Sequence, residues 1–181
     1  MKALLSFRKP LLLFSFCLPF SFIISYAQSP SSTPYCGKQF RIVILGSSTA
    51  FGRGATPIDS SWVNRYTTYV KLKNSQNTVI NLAVSGYTTY QVLCPNNFVP
   101  PAGRPLPDTM KNITKALSLN PNAIIINLPT NDINYGYSLA EIKSNYERTL
   151  KLTNAKNVPV WVTTTQPRTT LNEAKRDSLN S

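Results

Sequence analysis

Four short runs of apolar, largely β-branched residues punctuate this chain, and each stops abruptly at a polar or glycine-bearing cluster. They are residues 40–45 (FRIVIL), 78–83 (TVINLA), 123–128 (AIIINL) and 158–163 (VPVWVT). Apolarity that continues through a run, without alternation, marks strands covered on both faces. Stretches of helical period separate them. Asp59 or Ser60 can cap a helix that carries Trp62, Tyr66, Tyr69 and Val70 on one face. Asp108 can cap a second, with Met110, Ile113 and Leu117 inward, ended by Pro121. Ser138 and Glu141 have the spacing of a capping box for a third, whose face holds Leu139, Ile142, Tyr146 and Leu150. A further helix is expected from Thr170. Strand–helix alternation of this kind predicts an α/β protein, a three-layer α/β/α sandwich around a parallel sheet. In such folds ligands bind beyond the carboxyl ends of the strands. The segments after Leu45, Ala83, Leu128 and Thr163 are therefore where chemistry is expected.

The chain has 181 residues, 42% of them apolar, which suits one domain with a real core and excludes a disordered chain. Its first residues read differently. Lys2, Arg8 and Lys9 precede an apolar stretch from Leu11 to Ile24, and Ser25-Tyr26-Ala27 places small residues at the −3 and −1 positions before Gln28. That is the pattern of a secretory signal peptide over 1–27, too short for a bilayer span. A polar linker (28–35) and the domain (36–181) follow. Export implies a periplasmic or extracellular location. The formal charge is +12, and loss of the leader removes three cations and no acid. The remaining cations are scattered, so a soluble basic surface is expected, with attraction to acidic polymers as the sharper reading. Cys36 and Cys94 remain after cleavage. In an oxidising compartment such a pair is expected to form a disulfide. Residues 95–107 hold five prolines and read as a rigid loop.

The strand ends carry the strongest signal. The first run leads into Gly46-Ser47-Ser48-Thr49, the second into Val84-Ser85-Gly86, the third into Pro129-Thr130-Asn131-Asp132. Taken singly, Ser48 could cap a turn, Gly86 could punctuate one, and Asn131-Asp132 could be a loop and helix cap. Together, in this order, the three segments resemble the first three blocks of the SGNH (GDSL) hydrolases, over roughly residues 40–170. The resemblance implies a flavodoxin-like sandwich and a carboxylic ester hydrolase. It implies Ser48 as nucleophile, and an oxyanion hole made by the backbone N–H groups of Ser48 and Gly86 and the side-chain amide of Asn131. These residue types suit the reaction, because preorganised neutral donors stabilise the oxyanion of the tetrahedral intermediate. Asp132 reads as support for its loop.

Two positions depart from the family pattern. Ser47 stands where aspartate is usual, and Pro129 where glycine is usual. The first puts the geometry of its loop in question, and the second removes a backbone donor. The family's last block, Asp-x-x-His, supplies the general base and its orienting partner, but the chain contains no histidine. Asp177-Ser178-Leu179-Asn180 has the spacing with asparagine in the last place, and comes directly after the fourth run. The expectation is a sequence that stops before the family's last strand and helix, inactive by itself. No cofactor is expected: there is no histidine, no cysteine or carboxylate cluster for a metal, and no Walker-type loop. A small-molecule or polysaccharide ester is the expected partner, with acetylated carbohydrate suggested by export. Nucleic acid and stable membrane insertion are not expected. The rival reading is a non-catalytic carbohydrate-binding protein of the same fold.

Overall fold

A computed structural model describes residues 38–96, 98–164 and 173–180. The expected signal peptide and linker and Cys36 lie outside them. The elements run β1 (Arg41–Gly46), α1 (Ser48–Phe51), a 3-10 turn (Ile58–Ser60), α2 (Trp62–Lys73), β2 (Thr78–Asn81), α3 (Ile113–Ser118), β3 (Ala123–Asn127), α4 (Thr130–Asn134), α5 (Leu139–Asn154), β4 (Val160–Val162) and α6 (Glu173–Asn180). All four expected runs form strands. They pair in parallel in the order β2-β1-β3-β4. The α/β architecture with a parallel sheet is the one expected.

The lack of alternation along β1 and β3 now has its reason. Val43, Leu45, Ile124 and Ile126 face one side, in a core with Val92, Ile113 and Ala116 and with Tyr146 and Leu152 packed against it. Thus α3 and α5 cover that face. Ile42, Ile44 and Ala123 face the other, against Ala50, Val63 and Val70 from α1 and α2. Val43, Ile44 and Leu45 are completely buried, and burying a side chain of that size stabilises by roughly 1.5–3 kcal/mol. Among the described residues the α1/α2 face is covered only in part. Beside α2 a groove of about 900 Å³ is lined by Ile42, Tyr66, Tyr69, Ile125, Trp161 and Thr163, among others. Trp161 on the edge strand β4 remains 57% exposed.

Several local expectations need correction. Ser61, not Asp59 or Ser60, caps α2, its hydroxyl accepting from the Asn64 N–H. The helix buries Val63 and Val70, while Tyr69 lines the open groove. Asp108 does not cap α3. Its carboxylate turns the chain by accepting from the N–H groups of Met110 and Lys111 (2.6 and 2.7 Å). Asn112 is the cap, so the helix starts later and Met110 is exposed. The capping box of α5 is present as expected, but the buried stripe is Ile142, Asn145, Thr149 and Thr153. The two threonine hydroxyls donate to carbonyls of their own helix, at Asn145 and Leu150, which lets a polar stripe be buried. Cys94 is a free, half-buried cysteine. Its expected partner, Cys36, lies outside the described residues.

Candidate active site

Chain order β1, β2, β3 maps onto sheet order β2-β1-β3, so the connection reverses direction between β1 and β3. A crevice opens at such a switch point, at the carboxyl ends of the strands. Ser48 follows β1 and Asn131 follows β3. The exit from β1 depends on Gly46. A Cβ there would stand 2.7 Å from the Ala50 Cβ and 3.1 Å from the Asn127 carbonyl oxygen, so only glycine lets the chain turn this close to β3. The Ser47 N–H then donates to the Asn127 carbonyl (3.3 Å), and the Ser47 carbonyl accepts from Phe51 N–H (2.8 Å). Backbone groups therefore close the turn where the family's aspartate is missing, and the small Ser47 side chain is buried beneath it. Ser48 is the first residue of α1, partly exposed. Its hydroxyl caps nothing and bonds no protein group among the described residues.

The second segment follows β1 past the end of β2: Leu82 N–H donates to the Ile44 carbonyl and Val84 N–H to that of Gly46. The chain then turns at Val84–Tyr87, closed by Tyr87 N–H to the Val84 carbonyl (3.2 Å). Gly86 has φ +93°, and no atom lies within 4 Å of a Cβ built there. Glycine is needed for its left-handed backbone, and the position faces open space. Two side chains tie this turn to its neighbours. Arg53, just beyond α1, donates from Nη1 to the Ser85 hydroxyl (3.3 Å). Asn131 donates from Nδ2 to the Tyr87 carbonyl (2.8 Å), and its second amide hydrogen meets no acceptor among the described residues. The structure thus brings the Ser48, Gly86 and Asn131 segments to one rim.

In the third segment Pro129 precedes α4, where the helix needs no N–H from it, and its carbonyl accepts from Ile133. Asp132 is wholly buried and turned inward. Its carboxylate accepts from the Thr89 N–H (2.9 Å) and the Thr89 hydroxyl (2.5 Å), and that hydroxyl accepts from the Asn145 amide (2.9 Å). Burial pushes the Asp132 pKa up to about 6, and the Thr89 hydrogen bonds oppose that rise without cancelling it. Asp177, the other aspartate of interest, lies in α6, paired with Arg176. Sequence reasoning missed Thr89, Asn145 and Asn81. Asn81 binds the Ala50 carbonyl and the Ala83 N–H, locking α1 to the end of β2. A polar residue closing an otherwise apolar strand was the available signal. Thr89 and Asn145 gave none, being threonine and asparagine in unremarkable company.

A cleft of about 600 Å³ opens beside Gly86, lined by Thr88, Gln91, Arg104, Tyr135 and Tyr137 with Gly103 and Pro105. The proline-rich loop reaches it through Arg104, whose Nε and Nη2 pair with the Glu141 carboxylate at 2.7 and 3.2 Å. The guanidinium lies 4.0 Å over the Tyr137 ring. The hydrogen bonds from Arg104, with those from Ser138 and Tyr90, hold Glu141 at a pKa of about 2 despite partial burial. Tyr87 donates its hydroxyl to Asp108, tying the turn that carries Gly86 to the Asp108 turn ahead of α3. Among the described residues no group of histidine, cysteine or carboxylate side chains could hold a metal ion.

Residues 44–181 match the model of the GDSL-like lipase/acylhydrolase family. No curated protein matches the chain. Among solved structures, the chain is similar to AlinE4, an SGNH-hydrolase family esterase, with 22% identity, a TM-score of 0.58, and 79% of this chain covering 68% of that one. It is similar to the psychrotrophic esterase EstA from Pseudoalteromonas sp., with 17% identity, a TM-score of 0.55, and coverage of 76% and 67%. It is similar to TesA, with 15% identity, a TM-score of 0.57, and coverage of 77% and 68%. At these identities the likeness is one of fold.

Proposed function

Since the chain belongs to the GDSL-like lipase/acylhydrolase family, we propose that it serves an exported esterase acting through Ser48. In this reading Ser48 Oγ attacks the ester carbonyl carbon and its proton passes to a base. The oxyanion rests on the N–H groups of Ser48 and Gly86 and the free amide hydrogen of Asn131. Collapse releases the alcohol, which takes up the proton, and water then hydrolyses the acyl-serine. The observation that carries the reading is the pair of hydrogen bonds, Arg53 to Ser85 and Asn131 to Tyr87, which lock the three strand-end segments together.

The cleft at the rim, lined by Thr88, Gln91 and Arg104, supports an ester of a polar alcohol, and an acetylated carbohydrate is the substrate we propose. Serine needs a base, and none of the 181 residues is a histidine. Turnover is therefore expected of the complete gene product and not of residues 28–181 alone. In that product Asn131→Ala is expected to lower kcat about 10²-fold or more with a smaller change in KM, since the amide acts on the transition state. Unchanged kcat would remove Asn131 from the oxyanion hole. Export is tested by sequencing the amino terminus of the secreted protein, expected at Gln28. The absence of histidine favours a second reading, a non-catalytic carbohydrate binder. Glycan binding by a complete gene product that hydrolyses no ester would decide for it.

A further inference from the structure

The cleft beside Gly86 is built to hold something rich in hydrogen-bond acceptors. Gln91 Oε1 accepts from both the N–H and the hydroxyl of Thr88 (2.8 and 2.6 Å). This fixes the amide and turns Nε2 away from Thr88, with no protein partner among the described residues. Arg104 spends Nε and Nη2 on Glu141, also lies beside the Tyr90 hydroxyl and sits over the Tyr137 ring, so its position is fixed, and Nη1 makes no hydrogen bond among the described residues. Glu141 is itself held by the Ser138 N–H and the Tyr90 hydroxyl (2.8 and 3.0 Å). Its charge balances that of Arg104, so the edge offered to the cleft is a hydrogen-bonding one more than a net cation. That combination suits neutral oxygens better than a carboxylate. At the mouth Tyr135 stays 59% exposed, its ring 6.1 Å from that of Tyr137. An exposed ring beside fixed donors offers a flat apolar face next to polar anchors.

We infer that this cleft takes the alcohol part of the ester and that the alcohol is a pyranose sugar. Tyr135 stacks on the C–H face of the ring. Gln91 Nε2 and Arg104 Nη1 donate to its hydroxyl oxygens. These residues set specificity without taking part in the acyl transfer. The assignment of the alcohol rests on Ser48 and Gly86 being the reacting rim; the sugar-binding property does not.

The test compares two acetate esters on the complete gene product: an acetylated xylo-oligosaccharide, and ethyl acetate, whose alcohol has no ring to stack on Tyr135. Two variants are used. Tyr135→Ala removes an exposed ring. Gln91→Glu keeps the oxygen that anchors Thr88 but loses the donors. Each is expected to cut kcat/KM on the sugar ester about tenfold, mainly through KM, and to leave ethyl acetate within about twofold. An equal fall on both esters, or no fall on the sugar ester, overturns the inference. Should the protein cleave neither ester, binding of the deacetylated xylo-oligosaccharide is followed by NMR. Binding that Tyr135→Ala abolishes then upholds the sugar site while the esterase reading fails. No binding overturns the sugar site as well.

Discussion

Asp132 is the residue whose chemistry the surrounding fold alters most consequentially. It is buried on the inner side of α4 and accepts from Thr89, which Asn145 holds in turn. Because burial raises its pKa to about 6, the folded state keeps the proton at a pH where the unfolded chain has released it. Stability supplied by the protonated acid is therefore full below about pH 4 and is lost as pH rises through about 6. A shift of this size corresponds to roughly 3 kcal/mol. Asp132→Asn cannot ionise and is expected to lack this loss. Urea denaturation between pH 4 and 7 measures it: the wild type should weaken relative to the variant across that interval. Parallel stability curves would mean that Asp132 is ionised in the fold at low pH. Gly86 gives a second expectation at this scale. Its φ of +93° strains any L side chain, while the space around it is open. Gly86→Ala should therefore cost on the order of 1–2 kcal/mol from backbone strain alone, read from the same denaturation curves. A cost near zero would mean that the turn relaxes, and a loss of cooperative folding would mean that the space is not open.

Among the elements, α5 links local sequence to the site most directly. Ser138 and Glu141 form its capping box, and the same Glu141 carboxylate clamps Arg104 of the proline-rich loop. Ser138→Ala should cost about 1 kcal/mol of stability, measured as a lowered denaturation midpoint. A change of only a few tenths would show that the helix start is held by Arg104 instead. The box was legible because both partners sit in one four-residue window. The strands were legible for a similar reason: β1 and β3 are apolar on both faces, and Ser48, Gly86 and Asn131 stand just after apolar runs. The buried stripe of α5 was not legible. Asn145, Thr149 and Thr153 read as a solvent face, and only their hydrogen bonds to Thr89 and to the helix's own carbonyls make burial tolerable. The Arg104–Glu141 clamp spans 37 residues, and nothing local to either residue announces it. The late start of α3 follows from Asp108 turning the chain first, a competition between two good caps that spacing alone does not decide.

Across the described residues as a whole, one face of the sheet is closed by α3 and α5, and the other is left with a groove beside α2. Trp161 and Val162 on β4 are exposed at the edge. An exposed apolar strand at a sheet edge invites pairing with another copy. Residues 28–181 alone should therefore self-associate, and Trp161→Lys should reduce this in sedimentation velocity. A monomer at all concentrations would show that the edge is harmless. At the carboxyl ends of the strands, the parallel strand order and the hydrogen bonds among three segments bring the Ser48 segment to the switch point. The central claim is that this serine is the nucleophile of an esterase. Its most direct test is p-nitrophenyl acetate hydrolysis by the complete gene product, by its Ser48→Ala variant and by residues 28–181 alone. The account predicts turnover by the first only, the variant and the shorter polypeptide keeping at best a residual rate of about 10³–10⁴ over water. Wild-type turnover in Ser48→Ala would place the nucleophile elsewhere and contradict it.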